Sequence, residues 1–391
     1  MKKTIVIAGI LGVFAASAQA QSSVTLYGTL DAGLVYANNQ GGHSSWQQGS
    51  GSVSNTYFGL RGSEDLGGGL RAIFTLESGF NLNNGQFSES STLFNRQAFV
   101  GLQSDRFGAL TLGRQYDSVV DYLAPLSAAG AGYGNNLAGH PLDNDNLDNS
   151  FSIRNAVKYT SANYAGLKFG GLYGFSNAAG QFSNNRAWSV GASYENGPIS
   201  AAAAYLQLNN SLGTDGGISN SGGALAVENG NANVAAALQR TYGVGANYTY
   251  GPAVVGFVWT HTQFDGIGSV NSNFTGSNFD AGLSGTNLHL DNYEINGRYA
   301  LTPALGLAAA YTYTDGKISG SNGSGDPKWH TVSLQADYSL SKRTDVYVEG
   351  VYQHASGELG NGRANVAAIN TLSPSSTGNQ VAAAVGLRHR F

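Results

Sequence analysis

The sequence predicts an all-β fold, a transmembrane antiparallel β-barrel of about 16 strands with short periplasmic turns and long extracellular loops. Three observations carry this reading. The strands alternate apolar and polar residues over unusual lengths, the charged fraction is low, and the connections alternate between short and long.

The first twenty residues stand apart. Lys2 and Lys3 give a positive start, TIVIAGILGVFA is a short apolar run, and Ala18-Gln19-Ala20 fits a small-x-small cleavage pattern. Residues 1–20 therefore read as a secretory signal peptide, and 21–391 as one barrel domain with no visible linker. The apolar run is too short for a spanning helix, which needs about 20 apolar residues, and nothing later replaces it.

The stretch SSVTLYGTLDAGLVY opens the barrel. Val24, Leu26, Gly28, Leu30, Ala32, Leu34 and Tyr36 form one apolar face, with Thr25, Tyr27, Thr29, Asp31 and Gly33 between them. The run covers about thirteen residues, whereas a strand in a soluble domain has about five or six and a spanning strand about 9–11. Asp31 in mid-strand is tolerable if its face looks into water. The same pattern returns in Leu167–Ser176, Tyr242–Tyr250, Leu305–Tyr313, His330–Tyr338 and Val381–Phe391. Tyr36, Tyr194, Tyr250, Tyr313 and Trp329 fall toward strand ends, where aromatic girdles meet the membrane interfaces.

Composition agrees. Charged residues make up 11% of the chain, against roughly 25% in ordinary globular proteins. Glycine is abundant, at 56 residues, but only seven prolines and 11% aromatics argue against disorder. With no cysteine, no disulfide framework holds an exported chain. The net charge of −4 becomes −6 once Lys2 and Lys3 are removed, and no basic stripe suggests a nucleic-acid partner.

Short connections such as EDLGGG (64–69), SDRFG (104–108), ENGP (195–198) and LSKRTD (340–345) alternate with long ones near 38–54, 81–92, 116–153, 177–186, 209–239, 265–287, 316–328 and 355–379. Eight long loops and seven turns separate sixteen strands. In lipid every backbone polar group must be paired internally, so such a sheet has to close on itself.

The third long connection, residues 116–151, is the best functional stretch. Loops beyond about 12–15 residues are uncommon in compact domains and usually functional. It holds Asp117, Asp121, Asp143, Asp145 and Asp148 with no Lys or Arg. Two readings stand: an exposed, solvated surface loop, or a segment folded into the barrel. The run DNDNLDN (143–149) has a calcium-loop flavour but lacks the glycine and final glutamate of an EF-hand, so an ordinary acidic loop is expected there and no metal site is assigned. No cofactor is implied. The seven histidines are scattered, and neither G-x-S-x-G, H-E-x-x-H nor a P-loop occurs, so an enzyme is not expected.

SSVTLYGTLDAGLVY, YFGLRGSEDLGGGLRAIFTLESGFN, FNRQAFVGL, GALTLGRQYD and the final VGLRHRF, in this order along the whole mature chain, resemble the general porins of Gram-negative bacteria, especially the betaproteobacterial group. The resemblance implies a homotrimer in the cell outer membrane, surrounded by its lipid, passing ions and small hydrophilic solutes by diffusion. It implies that the third loop folds inward and narrows the pore. It also implies that Phe391 is the C-terminal aromatic read by the barrel-assembly machinery.

On that reading the constriction would set wall arginines against loop acids, since charged rings decide ion selectivity. Arg96 and Arg114 lie in motifs where the family places constriction arginines, and Arg154 follows the loop; Asp117 and Asp121 are the facing acids. Strict alternation puts Arg96 and Arg114 on the apolar face, so a bulge or a subunit interface is expected there. Tyr57 stands where the family usually has an arginine before FGL. Arg61, Glu77, Lys168, Glu294 and Arg298 are expected to line the lumen, as are Glu195, Asp337, Glu349, Arg388 and Arg390 as general polarity. The small-residue run Ala201–Ala204 would permit close packing between subunits. Besides general diffusion, a substrate-specific channel for anions or sugars and a structural or adhesive barrel remain open.

Overall fold

The computed structural model describes residues 23–89, 91–132, 136–225, 233–270, 277–321 and 323–391, so the expected signal peptide lies outside the described residues. The strands are β1 (Ser23–Gln40), β2 in two segments (His43–Ser50 and Tyr57–Gly67), β3 (Leu70–Gly79), β4 (Gln97–Ser104), β5 (Gly108–Gln115), β6 (Ile153–Thr160), β7 (Leu167–Gly174) and β8 (Arg186–Asn196). They continue as β9 (Ile199–Asn209), β10 (Val234–Tyr250), β11 (Ala253–Val270), β12 (Thr286–Ala300), β13 (Leu305–Gly320), β14 (Lys328–Ser339), β15 (Thr344–Ser356) and β16 (Asn379–Arg390). Among the described residues these form one antiparallel sheet of seventeen segments, and the two segments of β2 share the single neighbour β1 on one side, leaving sixteen staves.

Closure is made by β1 and β16, paired from Thr29↔Arg390 to Ala37↔Ala382. Phe391 extends that seam: its N–H donates to Gly28 O at 3.1 Å and its carbonyl accepts from Gly28 N at 3.2 Å. No helix among the described residues is long and apolar enough to cross a membrane; the strands cross instead. Their alternation fixes which side chains meet lipid. Val100 is 58% exposed, Leu334 61% and Val385 55%, while neighbours such as Thr312, Gln353 and Ala384 turn inward and are buried. A water-soluble protein would not leave such a belt uncovered.

Asp31 departs from the sequence expectation. It does not face open water; it is fully buried and patches a break in β2. Between Ser50 and Tyr57 the ladder stops, and Asp31 Oδ2 accepts from Val53 N at 3.1 Å and Ser54 N at 2.7 Å, while Tyr347 OH donates to Oδ1 at 2.6 Å. A carboxylate thus supplies acceptors that a missing strand edge would have offered.

Several expected loops are largely strand. The connection placed at 38–54 is mostly a hairpin joining β1 to the first segment of β2, β11 runs to Val270 and β13 to Gly320. Each of these Gly-, Ser- and Asn-rich ends continues the ladder with its neighbouring strand. The inner face is also less uniformly wet than its alternation suggested. On β11–β14 the inward Phe264, Leu288, Leu290, Ile318 and Trp329 pack with Phe279 and Leu283 of a short helix, Asn278–Leu283, and with Val366–Ala368. Trp329, expected in the aromatic girdle, is buried here and stacks on Phe279 at 6.3 Å between centroids.

Candidate functional site

The third long loop enters the lumen. After Gln115 the chain makes a wide helical turn, Val119–Leu123, followed by a tighter one, Ala124–Leu126. Val119, Tyr122, Leu123 and Leu126 bury against Leu172, Ala202, Ala204, Leu206 and Val258 on the wall. The barrel makes room with small residues: a Cβ on Gly191 would stand 2.7 Å from the Tyr122 ring, and one on Gly243 2.9 Å from Leu123. Ala202 and Ala204, from the run expected at a subunit interface, therefore receive this loop on the inside. Each fully buried aliphatic side chain contributes about 1.5–3 kcal/mol, so apolar packing anchors the outward half of the loop.

Hydrogen bonds anchor the returning half. His140 Nδ1 is 2.6 Å from Asp145 Oδ2, and His140 Nε2 is 3.2 Å from Glu294 Oε2 on β12. Burial opposes a charge on this imidazole, but the carboxylates of Asp145 and Glu294 outweigh it and push it up to about 10. Burial also opposes a charge on Asp145, and there the imidazolium prevails, holding the carboxyl below its ordinary value. Asp145 accepts from Thr260 Oγ1 at 2.5 Å and Asn292 Nδ2 at 3.3 Å; Glu294 accepts from Ala128 N at 2.8 Å.

Most of the loop's acid is consumed in this way. Asp117, pushed up to about 6 by burial, accepts from Val119 N at 2.7 Å and Asn146 Nδ2 at 2.7 Å. Asp143 accepts from Asp148 N and from Ser150 N, each at 3.0 Å, so the calcium-like run holds its own backbone. Among the described residues no group of three or more His, Cys, Asp or Glu is arranged to hold a metal ion. Asp121 pairs with Lys158. Asp148 alone of these acids borders the passage, and burial together with nearby Asp143 raises its carboxyl well above the usual range.

Two connected cavities trace the open path. An upper one of about 490 Å3 and a lower one of about 380 Å3 share Asn55, Arg96, Asp148 and Asn149. The lower is bounded by the loop (Val120, Ala124, Ala129–Gly132) on one side and by Arg96, Arg388 and Arg390 on the other. A third cavity of about 410 Å3 lies beneath the loop, lined by Asp121, Lys158, Lys168 and Glu195.

The arginines expected from sequence part company. Arg96 reaches the lumen because it precedes β4 and so escapes its alternation. Asn95 ends the ladder there, accepting from Gly79 N at 2.7 Å and donating to Gly79 O at 2.9 Å. The Arg96 guanidinium carbon then sits 4.6 Å from the Tyr57 ring centroid and 5.7 Å from that of Tyr116. Tyr57, standing in place of an arginine, thus cradles one.

Arg114 lies at a bulge, with Gly113↔Ala156 and Gln115↔Ile153 opposing unequal lengths of chain. Its guanidinium does not border the passage. It is buried, donating from Nε to Ser152 Oγ at 2.6 Å and from Nη2 to Glu89 Oε2 at 2.5 Å. Arg154 turns to the fifth long loop, donating to Ser221 O at 2.7 Å.

Glu77 is no free lumen charge: Tyr27 OH donates to it at 2.7 Å and Gln97 Nε2 at 3.0 Å, with Arg96 Nε 3.7 Å away. Glu294 is likewise buried under the loop, while Arg61 lies 5.0 Å from the Tyr27 ring centroid and Arg298 is exposed near the end of β12. Arg388, expected from sequence as general lumen polarity, has a definite place. It ties the wall to the loop, donating from Nη1 to Gly132 O at 3.2 Å and Ser54 Oγ at 2.7 Å, and pairs with Asp345 at 2.9 Å.

Comparison with known proteins agrees with this geometry. Residues 4–358 match the model of a family described as Gram-negative porin. The chain is 32% identical to an outer membrane porin protein of Bordetella pertussis over 100% of both chains, and 29% identical to outer membrane porin protein 32 of Delftia acidovorans over 89% of this chain and 88% of that one. Among solved structures, an anion-selective porin from Comamonas acidovorans shares the fold at a TM-score of 0.70 and 24% identity, covering 95% of this chain and 100% of that one. A trimer form of OmpT from Vibrio cholerae superposes at a TM-score of 0.61 and 16% identity, over 95% and 99%. A closed sheet with an apolar belt, a loop folded across its lumen and these relatives leave one conclusion: the chain belongs to the Gram-negative porin family, outer-membrane channels and not enzymes.

Proposed function

We propose that this porin is a general-diffusion channel with a preference for anions, set where the third loop faces Arg96, Arg388 and Arg390. The observation that carries the preference is the make-up of the lower cavity: three arginines border it and Asp148 is its one acid among the described residues. The partnering carboxylates Glu77, Asp337 and Asp345 stand behind the guanidiniums and weaken the field without lining the path. Lys168 and Arg61 would add polarity on the periplasmic side. The anion-selective relative from Comamonas acidovorans supports the same sign. Residues 1–20 serve as the export leader, Phe391 as the assembly mark, and the working unit is a homotrimer, as in the trimer form of the Vibrio relative.

Reversal potentials in a salt gradient test the assignment. A charge about 5 Å from the ion path is worth about 1 kcal/mol at a water-like dielectric, so Arg96→Ala should lower the anion-to-cation permeability ratio several-fold. Replacing Arg114 and Glu89 together by Ala should leave it unchanged, because that removes a neutral pair that does not border the lower cavity. A cation-selective wild type, or an Arg96→Ala channel with unaltered reversal potential, refutes the reading.

A further inference from the structure

The upper cavity carries chemistry that ion passage does not require. Its wall is built of amides from separate segments: Gln47 and Gln48 on β2, Asn55 in the β2 break, Asn81 and Asn83 on the second loop, and Asn149 on the third. Glu89 at its edge is neutralised by Arg114. At the junction with the lower cavity, Oδ1 of Asp148, an acceptor on a residue more than nine-tenths buried, has no hydrogen-bond partner, and Nε of Arg96 has only the Glu77 carboxylate, 3.7 Å away. An anion would satisfy Arg96 and be repelled by an ionised Asp148, and a cation would meet the reverse. A hydroxyl group both donates and accepts, so it can donate to the Asp148 carboxylate and accept from a neighbouring guanidinium or amide N–H. Tyr116 and Phe151 border the same space and give it an apolar edge beside the amides. The volume of about 490 Å3 lies within the range of small-molecule sites, about 300–1,000 Å3.

We propose that the extracellular mouth holds a binding subsite for a neutral polyhydroxylated solute, a mono- or disaccharide, seated between the amide wall and the Arg96–Asp148 pair. The proposal rests on the channel reading. In it, solutes of this class bind weakly above the constriction before passing it.

Sucrose added to the loop side of a single channel in a planar bilayer tests this. A saturable fall in ion current is expected, beyond the proportional loss caused by a polyethylene glycol of the same hydrodynamic size. Asn55→Ala and Asp148→Leu should each raise the half-blocking concentration about tenfold, the loss of one hydrogen bond to a polar or charged partner. Each variant is normalised to its own open-channel current. Silent bilayers would overturn the channel reading itself. Conducting channels in which sucrose does no more than the polymer overturn the subsite alone. A saturable block that both variants retain unchanged overturns its placement at these residues.

Discussion

Replacing His140 by Leu should unlatch the returning half of the third loop. The imidazole is buried between Asp145 and Glu294, at 2.6 and 3.2 Å, and its removal leaves two buried carboxylates without their cation. Breaking a buried pair by deleting one partner costs about 3–5 kcal/mol. The remaining donors, Thr260, Asn292, Asn296 and the Ala128 and Leu147 amides, do not carry charge. A loss of that size moves the equilibrium between seated and released loop by roughly two to three and a half powers of ten, at about 1.4 kcal/mol per tenfold. Single-channel recording should then show larger and noisier openings, while heat-modifiable mobility on gels confirms that the barrel is folded.

Raising the pH should do the same to the unmodified channel. The pKa of His140 is about 10 in the fold against 6.5 for the free group, so its contribution is complete below about 6.5 and is lost as pH climbs through about 10. A folded His140→Leu channel with wild-type conductance and noise would refute the latch.

Two further outcomes follow from other contacts. Glu89→Ala strands the buried guanidinium of Arg114, which should lower the resistance of the barrel to urea by about 3–5 kcal/mol; an unchanged midpoint in a gel-shift titration refutes it. Deleting Phe391 removes both hydrogen bonds to Gly28, worth about 0.5–1.5 kcal/mol each, and should slow refolding into detergent micelles followed by gel mobility; equal rates refute it.

The barrel was legible because period-two alternation is a one-dimensional property, and β16 shows it residue by residue from Val381 to Leu387. The inward loop was legible in length and family likeness, but its chemistry was not. Counting five aspartates suggested an acidic wall, whereas Asp117, Asp143 and Asp145 spend their lone pairs on backbone amides, Asn146, His140 and Thr260. Which partner a carboxylate finds is decided by residues more than a hundred positions away, such as Thr260 and Glu294, and no local pattern records that.

Arg96 and Arg114 make the same point about parity. The alternation rule assigns both to lipid. A side-chain amide at Asn95 ends one ladder and a bulge interrupts the other, so the rule lapses at both, bringing Arg96 to the passage and Arg114 to a buried ion pair. His140 and Glu89 left no signal at all: each is an isolated polar residue in a loop until the fold supplies its partner.

The pairing of β1 with β16 has a kinetic side. Every other strand meets its sequence neighbours, yet this last ladder joins segments roughly 350 residues apart. Until it forms, the outermost staves offer unsatisfied amides to any extended peptide nearby, and hydrocarbon is the worst place to expose them. Assembly is therefore close to all-or-none: a fifteen-stave intermediate gains little from inserting. The closing ladder is therefore the step at which an open edge most needs shielding, whatever solute the finished protein admits.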